Sequence, residues 1–162
     1  MKANFKYFLL FFLAVAFSSS AVGQTANPKS QSVTFANSPD LNTPPGYTHA
    51  VVVNSGKIIF IAGQVGLDKQ GKMVGKEDFR AQAAQAFANL KAALAAAGAK
   101  PENLVKLNYY VVGLNHEKLL ALRELRSSFV SKDNPPASTL IGVVALFSEE
   151  ASIEIEAVAV IQ

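Results

Sequence analysis

The chain contains no cysteine. That excludes disulfides, a thiolate nucleophile and cysteine-bound zinc. Histidine is nearly as scarce. His49 and His116 stand far apart and in no metal-ligand spacing. His116 falls at a helix start and reads as solvated; His49, beside Tyr47, reads first as a surface or packing residue and second as a catalytic one. A Gly-x-Ser-x-Gly elbow, a phosphate loop and a dinucleotide fingerprint are all missing, although Gly63, Gly66, Gly71 and Gly75 lie close together. Any activity must come from carboxylates, hydroxyls, amides or backbone groups, with no cofactor and no metal expected.

An excess of one charge is also lacking, with 15 Lys and Arg against 12 Asp and Glu. Long apolar runs are absent save one. Residues 8–17 (FLLFFLAVAF) are apolar throughout, but the run falls well short of the ~20 residues of a membrane-spanning helix. Lys2 and Lys6 precede it, and Ser18, Ser19, Ser20, Ala21, Val22 and Gly23 come after. A positive start, a short apolar stretch and a small-residue zone make a secretory signal. Residues 1–23 are expected to be removed between Gly23 and Gln24, which sends the protein to the periplasm or the exterior with no membrane attachment. The alternative is an uncleaved anchor. Cleavage takes Lys2 and Lys6 away, so the formal charge falls from +3 to +1. No Lys/Arg cluster then remains to track a phosphate backbone, and nucleic acid is not an expected partner.

Residues 24–31 are polar and read as a flexible leader; residues 32–162 are long enough for one domain with a real core. Residues 32–36 suggest a short strand. Pro39, Pro44, Pro45 and Gly46 make residues 37–46 a loop. Residues 49–53 and 57–62 read as two strands, with Asn54-Ser55-Gly56 as a hairpin turn between them. The strongest helix carries Phe79, Ala83, Ala86, Phe87, Leu90, Ala93, Leu94 and Ala97 at i+3/i+4 spacing. Glu77 and Asp78 are placed in its first turn, and Gly98 at its C-cap, with Pro101 beyond. Residues 104–112 form a long strand. Asn115 is suited to cap a second helix running to about Phe129, with Leu119, Leu122 and Phe129 inward. Pro135-Pro136 breaks the chain, and strands at 138–146 and 152–161 close it. The order β, β, β, α, β, α, β, β predicts a mixed sheet with both helices on one face.

The last strand alternates apolar residues with Glu154 and Glu156. Period 2 puts both carboxylates on one side. Either that side faces water or it lines a polar site.

Gly46-Tyr47, Ala62-Gly63-Gln64, the Ala-rich helix ending Ala97-Gly98, Val105-Lys106, Leu114-Asn115, Pro136-Ala137 and Ile153-Glu154-Ile155-Glu156-Ala157 succeed one another in characteristic order and spacing. In this the chain resembles the RidA (YjgF-like) reactive-intermediate deaminase family over roughly residues 33–161. The resemblance implies an α+β fold like that of chorismate mutase, a homotrimer with ligand clefts between subunits, and hydrolysis of small enamines and imines to ketones and ammonia without metal or cofactor. It also implies that Glu154 positions the attacking water, Tyr47 closes the cleft, Gly63 forms its wall and Asn115 lies in the loop before the second helix. Two positions depart from the family. Ser138 stands where the active deaminases carry an arginine that grips the substrate carboxylate. Ala62 stands where a small hydroxyl residue is usual.

A guanidinium offers a bidentate, charge-assisted clamp. A serine hydroxyl offers one neutral hydrogen bond, worth ~1 kcal/mol net. From Ser138, 2-imino acids are expected to be poor substrates and a neutral or smaller ligand to be preferred, unless Arg123 or Arg126 supplies the clamp. Two functions are compatible with these residues: a cofactor-independent hydrolase of an imine, enamine or related small molecule, or a trimeric small-molecule-binding or protective protein without turnover.

Overall fold

The computed structural model describes residues 32–162. The signal at 1–23 and the leader at 24–31 lie outside the described residues. The elements, in chain order, are β1 (Val33–Ala36), β2 (Ala50–Val53), β3 (Lys57–Val65), α1 (Phe79–Ala96), a 3₁₀ turn (Pro101–Asn103), β4 (Leu104–Val112), α2 (His116–Ser127), β5 (Ala137–Val143) and β6 (Ile153–Ile161). Four strands form one sheet in the order β3-β6-β4-β5. β6 runs antiparallel to both neighbours, whereas β4 and β5 are parallel and joined through α2. The sheet is therefore mixed, with α1 packed against β3, β6 and α2, as the element pattern predicts.

The hairpin expected around Asn54-Ser55-Gly56 does not form. β2 pairs with β1 in a separate two-stranded ribbon, Val33 opposite Val53 and Ala36 opposite Ala50. The backbone N–H groups of Asn54 and Ser55 both donate to the Ser32 carbonyl, at 2.8 and 3.2 Å. The turn thus closes the ribbon onto β1, and β3 takes β6 as its partner instead.

The core lies between the helices and the sheet. Leu90 and Leu94 of α1, Leu107 and Val111 of β4, and Ile153 and Ile155 of β6 are completely buried. Small residues let α1 approach closely, since Ala83 and Ala86 are buried at the contact. Gln82 is buried as well, and its amide is fully used. It donates to the carbonyls of Gly75, Lys76 and Glu150 and accepts from the N–H and hydroxyl of Ser152. A buried amide satisfied in this way ties the start of α1 to the start of β6.

Helix ends differ slightly from expectation. Glu77 and Asp78 precede α1 rather than occupy its first turn, and Asp78 is the N-cap, accepting from the Ala81 N–H at 3.0 Å. Ala97 is the C-cap and Gly98 the residue beyond it; N–H groups of Gly98 and Ala99 return to the carbonyls of Ala95 and Leu94, a Schellman pair. α2 starts after Asn115 as expected but ends at Ser127, two residues before Phe129. Phe129 still packs inward, its ring 4.9 Å from that of Phe87. β5 stops at Val143 rather than at Leu146.

Candidate functional site

The residues singled out by the sequence fall in three places. Two of them, Tyr47 and Ser138, meet on the helix side of the sheet. Ser138 is the second residue of β5 and sits in register with Leu107 of β4, whose side is covered by the helices. Tyr47 reaches it because the preceding loop is pinned to the same segment. The Thr48 hydroxyl donates to the Pro135 carbonyl at 2.6 Å, and the Thr48 N–H to that of Pro136 at 3.3 Å. His49 completes the anchor. Its Nδ1 accepts from the Ser38 N–H, its own N–H donates to Asn37 Oδ1, and its ring stands edge-on to Tyr47 at 6.0 Å. His49 is therefore a positioning residue for Tyr47.

Between this loop, α2 and the sheet lies a cavity of about 270 Å³. Tyr47, Tyr109, Leu119, Leu122, Arg123, Arg126, Ser138 and Leu140 are among its walls. The Arg126 guanidinium lies on the backbone of Gly46 and donates to the Pro45 carbonyl at 3.2 Å. A methyl group at Gly46 would overlap that guanidinium, and the backbone there has φ +86°, a conformation glycine adopts freely. Tyr109 is buried in the floor, and its hydroxyl has no hydrogen-bond partner among the described residues. Burial pushes the phenol pKa well above its usual value; the Arg126 charge pulls weakly the other way.

Glu154 and Gly63 meet on the opposite face. The alternation of β6 buries Ile153, Ile155 and Ala157 against the helices and turns Glu154 and Glu156 outward. The β3–β6 register shifts between Ile61 and Gln64, and this bulge brings Gly63 under Glu154. A Cβ at Gly63 would coincide with the Glu154 carboxylate. The two glutamates differ in their surroundings. Glu156 Oε1 accepts from Asn108 Nδ2 at 2.7 Å and from the Tyr110 hydroxyl at 2.9 Å. That bond is the main reason the Tyr110 pKa is raised. Glu154 faces Tyr110 across the ladder and Val65 on the other side. Its carboxylate has no hydrogen-bond partner among the described residues. Ala62 lies in the bulge with Gly63, its carbonyl accepting from Gln64 Nε2 at 3.0 Å.

Asn115 stands apart from both groups. It is exposed at the start of α2, where its side chain accepts from the Lys118 N–H at 2.9 Å. Within one chain, then, Glu154 and Gly63 share one face, Tyr47 and Ser138 a cavity on the other, and Asn115 belongs to neither. Among the described residues no three His, Asp or Glu side chains gather as metal ligands do. Tyr109 carried no signal in the sequence, where it reads as one more inward position of a strand.

Layer order and topology define the class: a YjgF-like α+β domain. The sequence model of the family described as endoribonuclease L-PSP matches residues 38–161, and the chain belongs to that family, also called YjgF, RidA or RutC. The chain is 33% identical over 116 residues to a 2-iminobutanoate/2-iminopropanoate deaminase of Dermatophagoides farinae, covering 72% of this chain and 86% of that protein. It is 38% identical over 116 residues to a RutC family protein of Aquifex aeolicus, covering 70% and 87%. Among solved structures, the Rid-family protein YyfB from Yersinia pestis, of unknown function, matches with a TM-score of 0.76 and 39% identity over 80% of this chain and 99% of that one.

Proposed function

We propose that the protein is a cofactor-independent hydrolase of small imines or enamines that works as a homotrimer. The carrying observation is the contrast between the glutamates: Glu156 is tied to Asn108 and Tyr110, whereas Glu154 lies free against the Gly63 backbone. A carboxylate without a protein partner, beside a glycine that leaves room, is suited to orient a water. That water adds to the C=N carbon, its proton passes through Glu154 to the nitrogen, and the carbinolamine collapses to ketone and ammonia. The relatives named as 2-iminobutanoate/2-iminopropanoate deaminases support this chemistry.

Two observations support assembly. The sheet face bearing Glu154 also exposes Ile58 and Phe60, the latter 80% accessible in a single chain, and apolar area of this kind favours association. Tyr47 and Ser138 lie on the other face, so a cleft that joins them to Glu154 needs more than one copy. Export is part of the same proposal and rests on residues 1–23; protein from the native host should begin at Gln24 by mass spectrometry, and an intact Met1 in the soluble fraction would overturn it.

The test is turnover of imines generated in a coupled assay. Glu154→Gln should lower the rate by ~10²-fold, the scale of a lost acid/base group, and Glu156→Gln much less. Equal losses would place the catalytic carboxylate elsewhere. The second reading, a binding protein without turnover, is favoured by Ser138 in place of the family arginine, and no turnover of any imine or enamine would select it.

A further inference from the structure

Tyr110 stands beside both glutamates of β6 and bonds only one of them. In the β4–β6 ladder it lies directly opposite Glu154, and Asn108 lies opposite Glu156. Side chains opposed in this way have Cβ atoms ~4.5–5.5 Å apart, and a diagonal neighbour is still within an aromatic residue's reach. The hydroxyl takes the diagonal. It donates to Glu156 Oε1 at 2.9 Å, and Asn108 Nδ2 donates to the same oxygen at 2.7 Å. The bond to Glu156 is the first cause of the raised Tyr110 pKa, ahead of burial and the charges of Glu156 and Glu154. The phenol proton thus lies in the field of both carboxylates. Lys106 shares this face of β4 but is turned toward β5, its Nζ donating to the Thr139 hydroxyl at 2.7 Å. A tyrosine carries one O–H proton, so it can donate fully to one carboxylate at a time.

We infer that Glu156, braced by Asn108, is a positioning residue that holds the Tyr110 hydroxyl away from Glu154 and so keeps the Glu154 carboxylate free for water. With the proton on Glu156, Glu154 has the Gly63 backbone on its β3 side and Tyr110 on its β4 side, and neither of them donates to it. Moved to Glu154, the same hydroxyl would occupy an oxygen that the water needs. A charge-assisted bond of that kind is strong enough to stay. Asn108 fixes Glu156 in the accepting pose, because both donors converge on one oxygen. The second glutamate of β6 therefore has a duty without chemistry of its own: it draws off a donor that competes with the water. The consequence for turnover rests on reading Glu154 as the carboxylate that orients the water; the choice of acceptor made by Tyr110 does not.

The test compares Glu156→Val, Glu156→Gln and the double variant Glu156→Val/Tyr110→Phe in the coupled imine assay. Valine suits a strand but accepts no hydrogen bond, so the Tyr110 proton should pass to Glu154. The kcat/KM should then fall ~10-fold or more, the scale of a hydrogen bond to a charged group. Glutamine keeps an acceptor oxygen and should lose far less. The double variant should recover most of the loss, because no hydroxyl is left to capture Glu154. A second readout is independent of turnover. The Glu154 carboxyl carbon, followed by NMR and assigned by its disappearance in Glu154→Gln, should titrate about 1 pH unit lower in Glu156→Val than in the double variant. Both lack the Glu156 charge, so the difference belongs to the hydroxyl. Where Glu156→Val folds poorly, Glu156→Ala makes the same comparison. A double variant no better than Glu156→Val, or the same Glu154 titration in the two, overturns the inference. No turnover of any imine, with the titration difference present, sinks the hydrolase reading and leaves this one standing. Native turnover with no recovery in the double variant does the reverse.

Discussion

At the residue scale, the two adjacent tyrosines of β4 show how one step along a strand changes a side chain's chemistry. Tyr110 faces outward and donates to Glu156, whereas the Tyr109 hydroxyl faces inward with no hydrogen-bond partner among the described residues. Burial holds the Tyr109 phenol protonated far into the alkaline range. The unfolded chain releases that proton near pH 10, while the folded chain keeps it. Above that pH the unfolded state binds fewer protons, so stability falls as pH rises; below it the contribution is whole. The slope for one such group is up to about 1.4 kcal/mol per pH unit. Urea unfolding between pH 9 and 11 should therefore show a steeper loss in the native protein than in Tyr109→Phe. Tyr110 is also shifted upward, but it is only half-buried and solvent screens its share.

At the scale of elements, caps and clamps place the loops that carry the candidate residues. Asn115 is the N-cap of α2 and accepts from the Lys118 N–H. Asn115→Ala should cost about 1 kcal/mol in denaturant unfolding, and Asn115→Ser should recover most of it. A serine variant that folds normally but loses ligand affinity would show that the amide serves the site as well as the helix. Helix positions were legible from the sequence because 3.6-residue periodicity and cap residues are local signals. The β1–β2 ribbon was not, because Asn54-Ser55-Gly56 has hairpin chemistry whichever strand it serves, and the choice of partner is made by distant residues. The pairing of Glu154 with Gly63 could be expected through family resemblance alone; no local pattern brings a glycine of β3 under a glutamate of β6. Tyr109 and Arg126 illustrate the same limit. One looks like core and the other like a solvated helix position until β4 and α2 are packed together around a cavity.

At the scale of the whole molecule, one helical layer covers one side of the sheet and leaves the other apolar in places. Ile58, Phe60 and Ile141 are exposed on strands of the sheet, and Val144 and Phe147 on the segment after β5. With no cysteine to cross-link it, the domain would gain stability from burying that surface against its own copies. Light scattering of the mature chain should give about three times the monomer mass, and a stable folded monomer at micromolar concentration would remove the shared cleft from the proposed mechanism.

The strand order carries one more consequence, and it concerns time. β6 follows every other described element in the chain, yet it lies between β3 and β4 and supplies the ladder to both. Until residues 153–161 emerge from the ribosome, β3 has no neighbour in the sheet and β4 has only β5. Pairings so distant along the chain close slowly, since loop entropy must be overcome before any contact rewards it. Synthesis at ~5–20 residues per second therefore leaves a nascent polypeptide whose four-stranded sheet stays open until β6 is translated. If residues 1–23 direct export as proposed, a chain threaded through a translocation channel must not fold early, and this topology builds that delay into the order of its strands.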